Sequence, residues 1–329
     1  MPPRRRAEPP EPAGPRVAVV VPVFNAADMV AGLVDALAAQ TVTDAEICFV
    51  DDGSTDGTGE ALRTLIRGRR IPMRLVLQPR NGGPAAARNA GIAATSAPII
   101  AFTDADCLPD PDWLERGLAA IRDDATGIEG RTLPTETPGA TTHQMINTSG
   151  GLFMTCNMLY RRDALDAAGG FDERFKLAFL EDSDVAFAIM EAGGVIPFAP
   201  EVLVRHLVLE RGTRKFGNEA RKRFYNPLLH KKHPAMYREH IRSTVPGLPP
   251  IHLKYMAATI ALPIPIPFGL PGFTVFLLAP FALYARRVLH AYKAGRDPKL
   301  ILRALGHPWH QTWHVLRGAW RFRSFSWKL

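Results

Sequence analysis

Cysteine is scarce in this chain, with three among 329 residues. Cys48, Cys107 and Cys156 lie far apart, share no metal-ligand spacing, and their odd number argues against a disulfide framework. A reducing cytosolic compartment, with the thiols as small buried hydrophobes, is the expectation. Also missing are a Gly-x-Gly-x-x-Gly after the first apolar run and a Gly-Lys-Ser/Thr phosphate loop, which removes support for a dinucleotide oxidoreductase or a P-loop ATPase. Residues 1–15 are rich in proline, carry Arg4, Arg5 and Arg6, and lack the hydrophobic stretch of a signal peptide. They read as a disordered tail, and nothing in them asks for export. Acid is nearly absent from the last third: residues 205–329 hold 22 Lys and Arg against 4 Asp and Glu, whereas residues 1–204 hold 18 against 28.

A hydrophobic content of 47% over this length supports one large α/β domain with an appendage, or two modest domains. Val17 to Val21 is a continuous β-branched run, followed by Val30, Leu33, Val34 and Leu37 at helical spacing. Glu46 to Val50 and Arg74 to Leu77 repeat the strand signal, with helical stripes at Leu62, Leu65 and Ile66 and at Ala85 to Ala94. Alternation at this spacing predicts a mostly parallel sheet with helices on both faces. A fourth strand, Pro98 to Phe102, ends in Asp104-Ala105-Asp106. Two close carboxylates at the carboxyl edge of such a sheet suit a hard divalent cation, Mg²⁺ or Mn²⁺, that completes its shell with substrate phosphates. By themselves they also fit a solvated acidic turn closed by Pro109.

Four stretches decide between these readings. Pro22-Val23-Phe24-Asn25, Asp51-Asp52-Gly53-Ser54-Thr55-Asp56-Gly57, Asn81-Gly82-Gly83-Pro84 through Arg88-Asn89-Ala90-Gly91, and Asp104-Ala105-Asp106 occur in one order and spacing. Together they resemble the family 2 glycosyltransferases, inverting, metal-dependent nucleotide-diphospho-sugar transferases of the GT-A fold. The resemblance runs from residue 16 to about residue 225. It implies that Pro22, Val23, Phe24 and Asn25, with Asp52 and Arg88, hold the nucleoside, and that Asp104 and Asp106 bind the metal. Without it, Asp51 and Asp52 are an acidic helix start, Arg88 a solvated helix residue and Asn25 a turn former.

The same resemblance extends to Asn157 through Phe171, which looks like the acceptor side, and to Glu181-Asp182-Ser183-Asp184, where it makes Asp182 the general base. Direct displacement at an anomeric carbon needs a carboxylate near the acceptor hydroxyl and a cation near the departing diphosphate. Glu181 and Asp184 are expected to orient the loop or touch the acceptor. His206, in Pro200 to His206, resembles the histidine that approaches metal or diphosphate, and otherwise reads as a packed residue. Thr132 to Gly151, dense in Pro, Thr and Gly, reads as a long loop over the site.

Residues 255–285 contain no charged side chain and are cut by Pro263, Pro265, Pro267, Gly269, Pro271 and Gly272. About 20 apolar residues span a bilayer once, so the run suffices for one pass and not two. A hairpin dipping into one leaflet fits best, against a single spanning helix or a segment docked on protein. Basic flanks on both sides favour keeping both cytoplasmic, and Trp309, Trp313, Trp320 and Trp327 among arginines suit the headgroup layer.

The expected organisation is a tail at 1–15, a GT-A-like catalytic domain at 16–235 (nucleotide part 16–106, acceptor part 107–235), and a helical, membrane-associated segment at 236–329. The expected partners are a nucleotide-diphospho-sugar, a lipid-linked or glycan acceptor and membrane lipid at the cytoplasmic face, with no nucleic acid beyond the nucleotide. A nucleotidyltransferase would carry a Gly-rich basic loop after the first strand, which is absent. A catalytically dead sugar-nucleotide-binding protein would not keep Asp104, Asp106 and Asp182.

Overall fold

The structure, a computed structural model, describes residues 14–122, 124–137, 142–143, 145–210, 221–241 and 298–324. The chain divides into two compact units, Met1–Leu209 and Glu210–Leu329.

In the first unit, strands β1 (Val17–Val23), β2 (Ala45–Asp51), β3 (Met73–Leu77) and β4 (Ile99–Phe102) alternate with helices α1 (Val30–Ala38), α2 (Thr58–Leu65) and α3 (Pro84–Ala93). Their spatial order is β3-β2-β1-β4, all parallel. Every residue of β2 is buried and β1 is nearly so, as continuous apolar strands sandwiched between helices must be. Val30, Leu33, Val34 and Leu37 of α1 cover one face, together with Leu62 of α2. On the other face lies the alanine-rich α3, which approaches so closely that a Cβ on Gly91 would sit 2.4 Å from Val20 Cγ1. Glycine is therefore required at that crossing.

Beyond β4 the sheet departs from expectation. It continues through β5 (Cys107–Pro109), α4 (Trp113–Ala120), β6 (Gly127–Pro134), β7 (Thr142–His143, outside this sheet), β8 (Met158–Arg161), α5 (Arg162–Ala167), α6 (Glu181–Glu191) and β9 (Phe198–His206). The full order is β3-β2-β1-β4-β8-β6-β9-β5, with β8 antiparallel to both β4 and β6, and β5 antiparallel to β9. The sheet is therefore mixed: its parallel pairings remain the majority, four against three, and the antiparallel ones all lie beyond β4. Just ahead of β8 the apolar run forms a 3₁₀ turn at Thr155–Asn157.

Because β1, β2 and β3 progress in one direction and β4 lies on the other side of β1, strand order reverses between β1 and β4. A crevice opens at the carboxyl ends of strands at such a switch point. Pro22 to Phe24 and Asp104 to Asp106 flank it.

In the second unit, helix α7 (Asn226–Lys232) follows a 3₁₀ turn at Arg223–Tyr225, and the long helix α8 (Pro298–Phe322) packs against both. Val315 and Ala319 of α8 are fully buried, as are Leu228 and Leu229 of α7. Tyr237 donates to Asn226 Oδ1 at 2.7 Å. Among the described residues no helix is long and apolar enough to cross a membrane. The uncharged run 255–285 and the tail 1–13 lie outside the described residues.

Candidate active site

The crevice holds a cleft of about 440 Å³. Its floor is built by turns that pin one another. Asp52 accepts from the Gly82 amide at 2.7 Å through Oδ1 and from the Gly83 amide at 2.8 Å through Oδ2, fixing the loop ahead of α3 against the end of β2. Burial pushes the Asp52 carboxyl up, and those two amides oppose the shift. Pro22, Val23 and half-exposed Phe24 line the opposite wall. Asn25 does not line it. Its backbone sits at φ 50°, a conformation asparagine tolerates, and its side-chain oxygen accepts the Thr55 amide at 2.9 Å. The turn-forming role is the one it plays.

Arg88 is placed differently from the nucleoside contact expected of it. Its buried guanidinium forks, with Nη2 donating to Asp104 Oδ1 at 2.9 Å and Nη1 donating to Glu181 Oε1 at 2.9 Å. Although burial disfavours its charge, the two carboxylates hold Arg88 above its ordinary value. The remaining Nε has no partner among the described residues, and Arg88 still lines the cleft. Glu181 is consumed from both sides, since Oε2 also accepts the Phe179 amide at 2.6 Å. It is a buried anchor for the start of α6 and not an acceptor contact.

That anchor presents Asp182, the next residue. Leu180, immediately before the helix, has φ 74°. A non-glycine residue in this region costs roughly 1–2 kcal/mol, the kind of strain that persists where surroundings over-determine a functional turn. Burial first, and then the Glu181 charge, push the Asp182 carboxyl up to about 7. Asp184 is buried in the first turn of α6 and faces inward. Asn157 is likewise internal: it accepts from Trp113 Nε1 at 2.9 Å and donates to the Arg131 and Val202 carbonyls at 2.8 and 3.0 Å. Every polar atom of that carboxamide is used in clamping strands together, which corrects its expected role at the acceptor.

The paired aspartates line the same cleft but have different partners. Asp104 joins Arg88, whereas Asp106 faces His206, brought opposite by the pairing of Cys107 with His206. His206 Nδ1 lies 2.8 Å from the Leu207 carbonyl, which can only accept, so that nitrogen carries the ring proton. In the neutral ring, Nε2 then turns a lone pair toward Asp106 Oδ2, 3.4 Å away. Two lone-pair atoms so placed call for a proton or a cation between them. Cys107 is within 4.8 Å of the same group, but burial keeps its thiol well above the ordinary value, so it stays a protonated thiol. The Asp106 carboxylate at the cleft edge suits Mn²⁺ or Mg²⁺, and the imidazole beside it favours a transition ion such as Mn²⁺ over Mg²⁺.

Two features had escaped the sequence reading, and one motif residue, Asn81, had been given no role. Lys176 lines the cleft and donates to the Gly82 carbonyl at 3.2 Å. Asn81 lines it as well. Glu129, in the short run Gly127-Ile128-Glu129-Gly130, fixes the loop end 147–153: it accepts from Asn147 Nδ2, Gly151, Leu152 and Phe153 at 2.7, 2.6, 2.9 and 2.6 Å. The expected open loop Thr132 to Gly151 is therefore strand at its beginning and latched at its end. A carboxylate inside an apolar strand run was the available signal.

Residues 18–169 match the Glycosyl transferase family 2 pattern. A family 2 glycosyltransferase domain thus occupies residues 18–169, a little under half of the chain. The chain is 29% identical to glycosyltransferase AglE of Haloferax volcanii over 226 residues, 64% of this chain and 71% of that protein. It is also 29% identical over 240 residues to the pre-mycofactocin glycosyltransferase of Mycobacterium tuberculosis, 67% of this chain and 48% of that one. Among solved structures, mannosyltransferase PcManGT from Pyrobaculum calidifontis, in complex with GDP-Man and Mn²⁺, superposes with a TM-score of 0.54 at 20% identity, covering 94% of this chain and 87% of that one. GalNAc-T7 with UDP, GalNAc and Mn²⁺ gives 0.52 at 16% identity, covering 70% and 55%. At such identities the likeness shows the GT-A-like α/β fold alone. The enzyme is a glycosyltransferase.

Proposed function

We propose that this enzyme moves a sugar from a nucleoside-diphosphate donor in the cleft to an acceptor hydroxyl with inversion, and that Asp182 is the base. One observation carries the reading. Arg88 ties Asp104 on the cleft wall to Glu181, the neighbour of Asp182, so a buried ion network joins the donor groove to the turn that carries the base. A carboxyl at about 7 is matched to proton transfer near neutral pH.

In this reading Pro22 to Phe24 flank the nucleoside, and the Asp52 oxygens accept N–H groups of the base with their remaining lone pairs. Asp106 and His206 would hold Mn²⁺ or Mg²⁺, which when bound offsets charge on the departing diphosphate. Asp182 takes the proton of the acceptor hydroxyl as that oxygen attacks the anomeric carbon, and the bond to the diphosphate oxygen breaks on the opposite face.

The acceptor is a glycan or lipid-linked hydroxyl, met at the cytoplasmic membrane surface. Support for that location is the uncharged run 255–285 with its basic flanks. GDP- and UDP-sugars, in keeping with the complexes of the two structural neighbours, are the first donors to test. Release of nucleoside diphosphate with Mn²⁺, and proton NMR of the new linkage, check the chemistry. An inverted anomer is expected, and a retained one overturns the assignment of Asp182 as base in a single displacement.

A further inference from the structure

The second unit carries a surface with no role in sugar transfer. Along α8, Trp313, Leu316 and Trp320 are 62%, 49% and 73% exposed. Their spacing of three and four residues puts them on one face. Gln311, Thr312, His314, Val315 and Ala319 form the buried face, and no side chain fits at Gly318, where a Cβ would meet the Phe224 carbonyl oxygen at 2.0 Å. Close packing of the inner face therefore fixes the rotation of the helix and leaves the two tryptophans projecting outward.

The border of this apolar row is cationic. Arg317 and Arg321 lie next to it on the wheel, and Arg317 is steadied over the Phe224 ring at 5.8 Å. Across residues 221–241 and 298–324 there are eleven Lys and Arg against a single acid, Glu239. Such a charge balance repels a basic protein surface and attracts an anionic one. A tryptophan row edged by arginine, on a helix otherwise packed against its own domain, matches a helix lying in the headgroup layer.

We infer that the Trp313-Leu316-Trp320 face of α8 docks on the surface of an anionic bilayer. The inference rests on the membrane part of the reading above and is independent of the chemistry. It adds a surface contact to whatever residues 255–285 do, and it names the side chains that enter lipid: two indoles and a leucine, with Arg317 and Arg321 at the phosphates.

The test uses the full chain with vesicles of neutral lipid or of neutral lipid containing anionic phosphatidylglycerol. Leu316→Cys is labelled with an environment-sensitive fluorophore, which is selective because Cys48, Cys107 and Cys156 are buried. With anionic vesicles the label is expected to shift to the blue and to be quenched by shallow nitroxide lipid. Trp313→Ser/Trp320→Ser in the same background, whose exposed positions leave the melting temperature unchanged, is expected to lower quenching about tenfold. Flotation with vesicles while the label keeps its aqueous emission overturns the inference but leaves membrane attachment standing. Failure to float overturns both. A blue shift that grows with protein concentration in the absence of lipid means a second copy covers the face, which also overturns it.

Discussion

Arg88 and Glu181 meet at 2.9 Å although 93 residues separate them, and both side chains are buried. Arg88 reaches Asp104 with its other terminal nitrogen, so one guanidinium fixes the start of α6 relative to the end of β4. Removing one partner of a buried pair leaves an uncompensated charge, which costs about 3–5 kcal/mol. Arg88→Met is expected to lose stability of that order in urea unfolding. Arg88→Lys keeps the charge but cannot bridge two carboxylates as a planar fork. It should fold more stably than the Met variant and still lose at least about tenfold in kcat. Lys and Met variants both unfolding like the parent would remove the bridge as a structural element.

The first half of the sheet was legible because β1 to β4 are continuous apolar runs separated by helical stripes, a pattern that only parallel α/β layering satisfies. The second half was not, since the antiparallel insertion of β8 between β4 and β6 depends on pairing over long separations that leaves no local mark. The acidic turns at Asp52, Asp104, Asp106 and Asp182 were legible as candidates for chemistry through their motifs. Their partners were hidden: α3 is too rich in alanine to reveal which way Arg88 points, and Asn157 looks the same in sequence whether it faces a substrate or clamps two strands and a helix.

Asp182 sets stability against activity. Its carboxyl moves from 3.8 to about 7 on folding, so the folded state disfavours the charged form. Stability from the neutral carboxyl is fully present below pH 4 and is lost as pH rises through about 7. Asp182→Asn removes that loss. Its melting temperature should equal the parent's near pH 4 and exceed it at pH 8, by an amount on the order of a few kcal/mol in free energy. Turnover should fall ~10²-fold or more with donor affinity kept, and the parent's kcat/KM should climb with pH to a plateau above about 7. A variant less stable than the parent at pH 8 contradicts the shifted carboxyl.

The different partners of the two aspartates predict separable losses. Stabilisation by Mn²⁺ alone, read as a rise in melting temperature, is expected to vanish in Asp106→Asn and in His206→Ala. Asp104→Asn keeps an acceptor for Arg88 and should retain the response. Equal loss in all three would return Asp104 to the metal shell.

Glu129 offers a test of the loop it holds. Four donors converge on its carboxylate, three of them backbone amides from Gly151 to Phe153. Phe153 itself has φ 52°, so the latch also retains a conformation the residue would not choose alone. Glu129→Gln turns one acceptor into a donor facing donors. Leaving a buried amide unsatisfied costs about 1–3 kcal/mol, so exchange of the Gly151 to Phe153 amides should accelerate roughly 30-fold through local opening at ~2 kcal/mol. Protection in the central strands β1 and β2 falls by less, because their ladders do not depend on the loop. Should amides 151–153 exchange no faster in the variant, the latch is held by something other than Glu129.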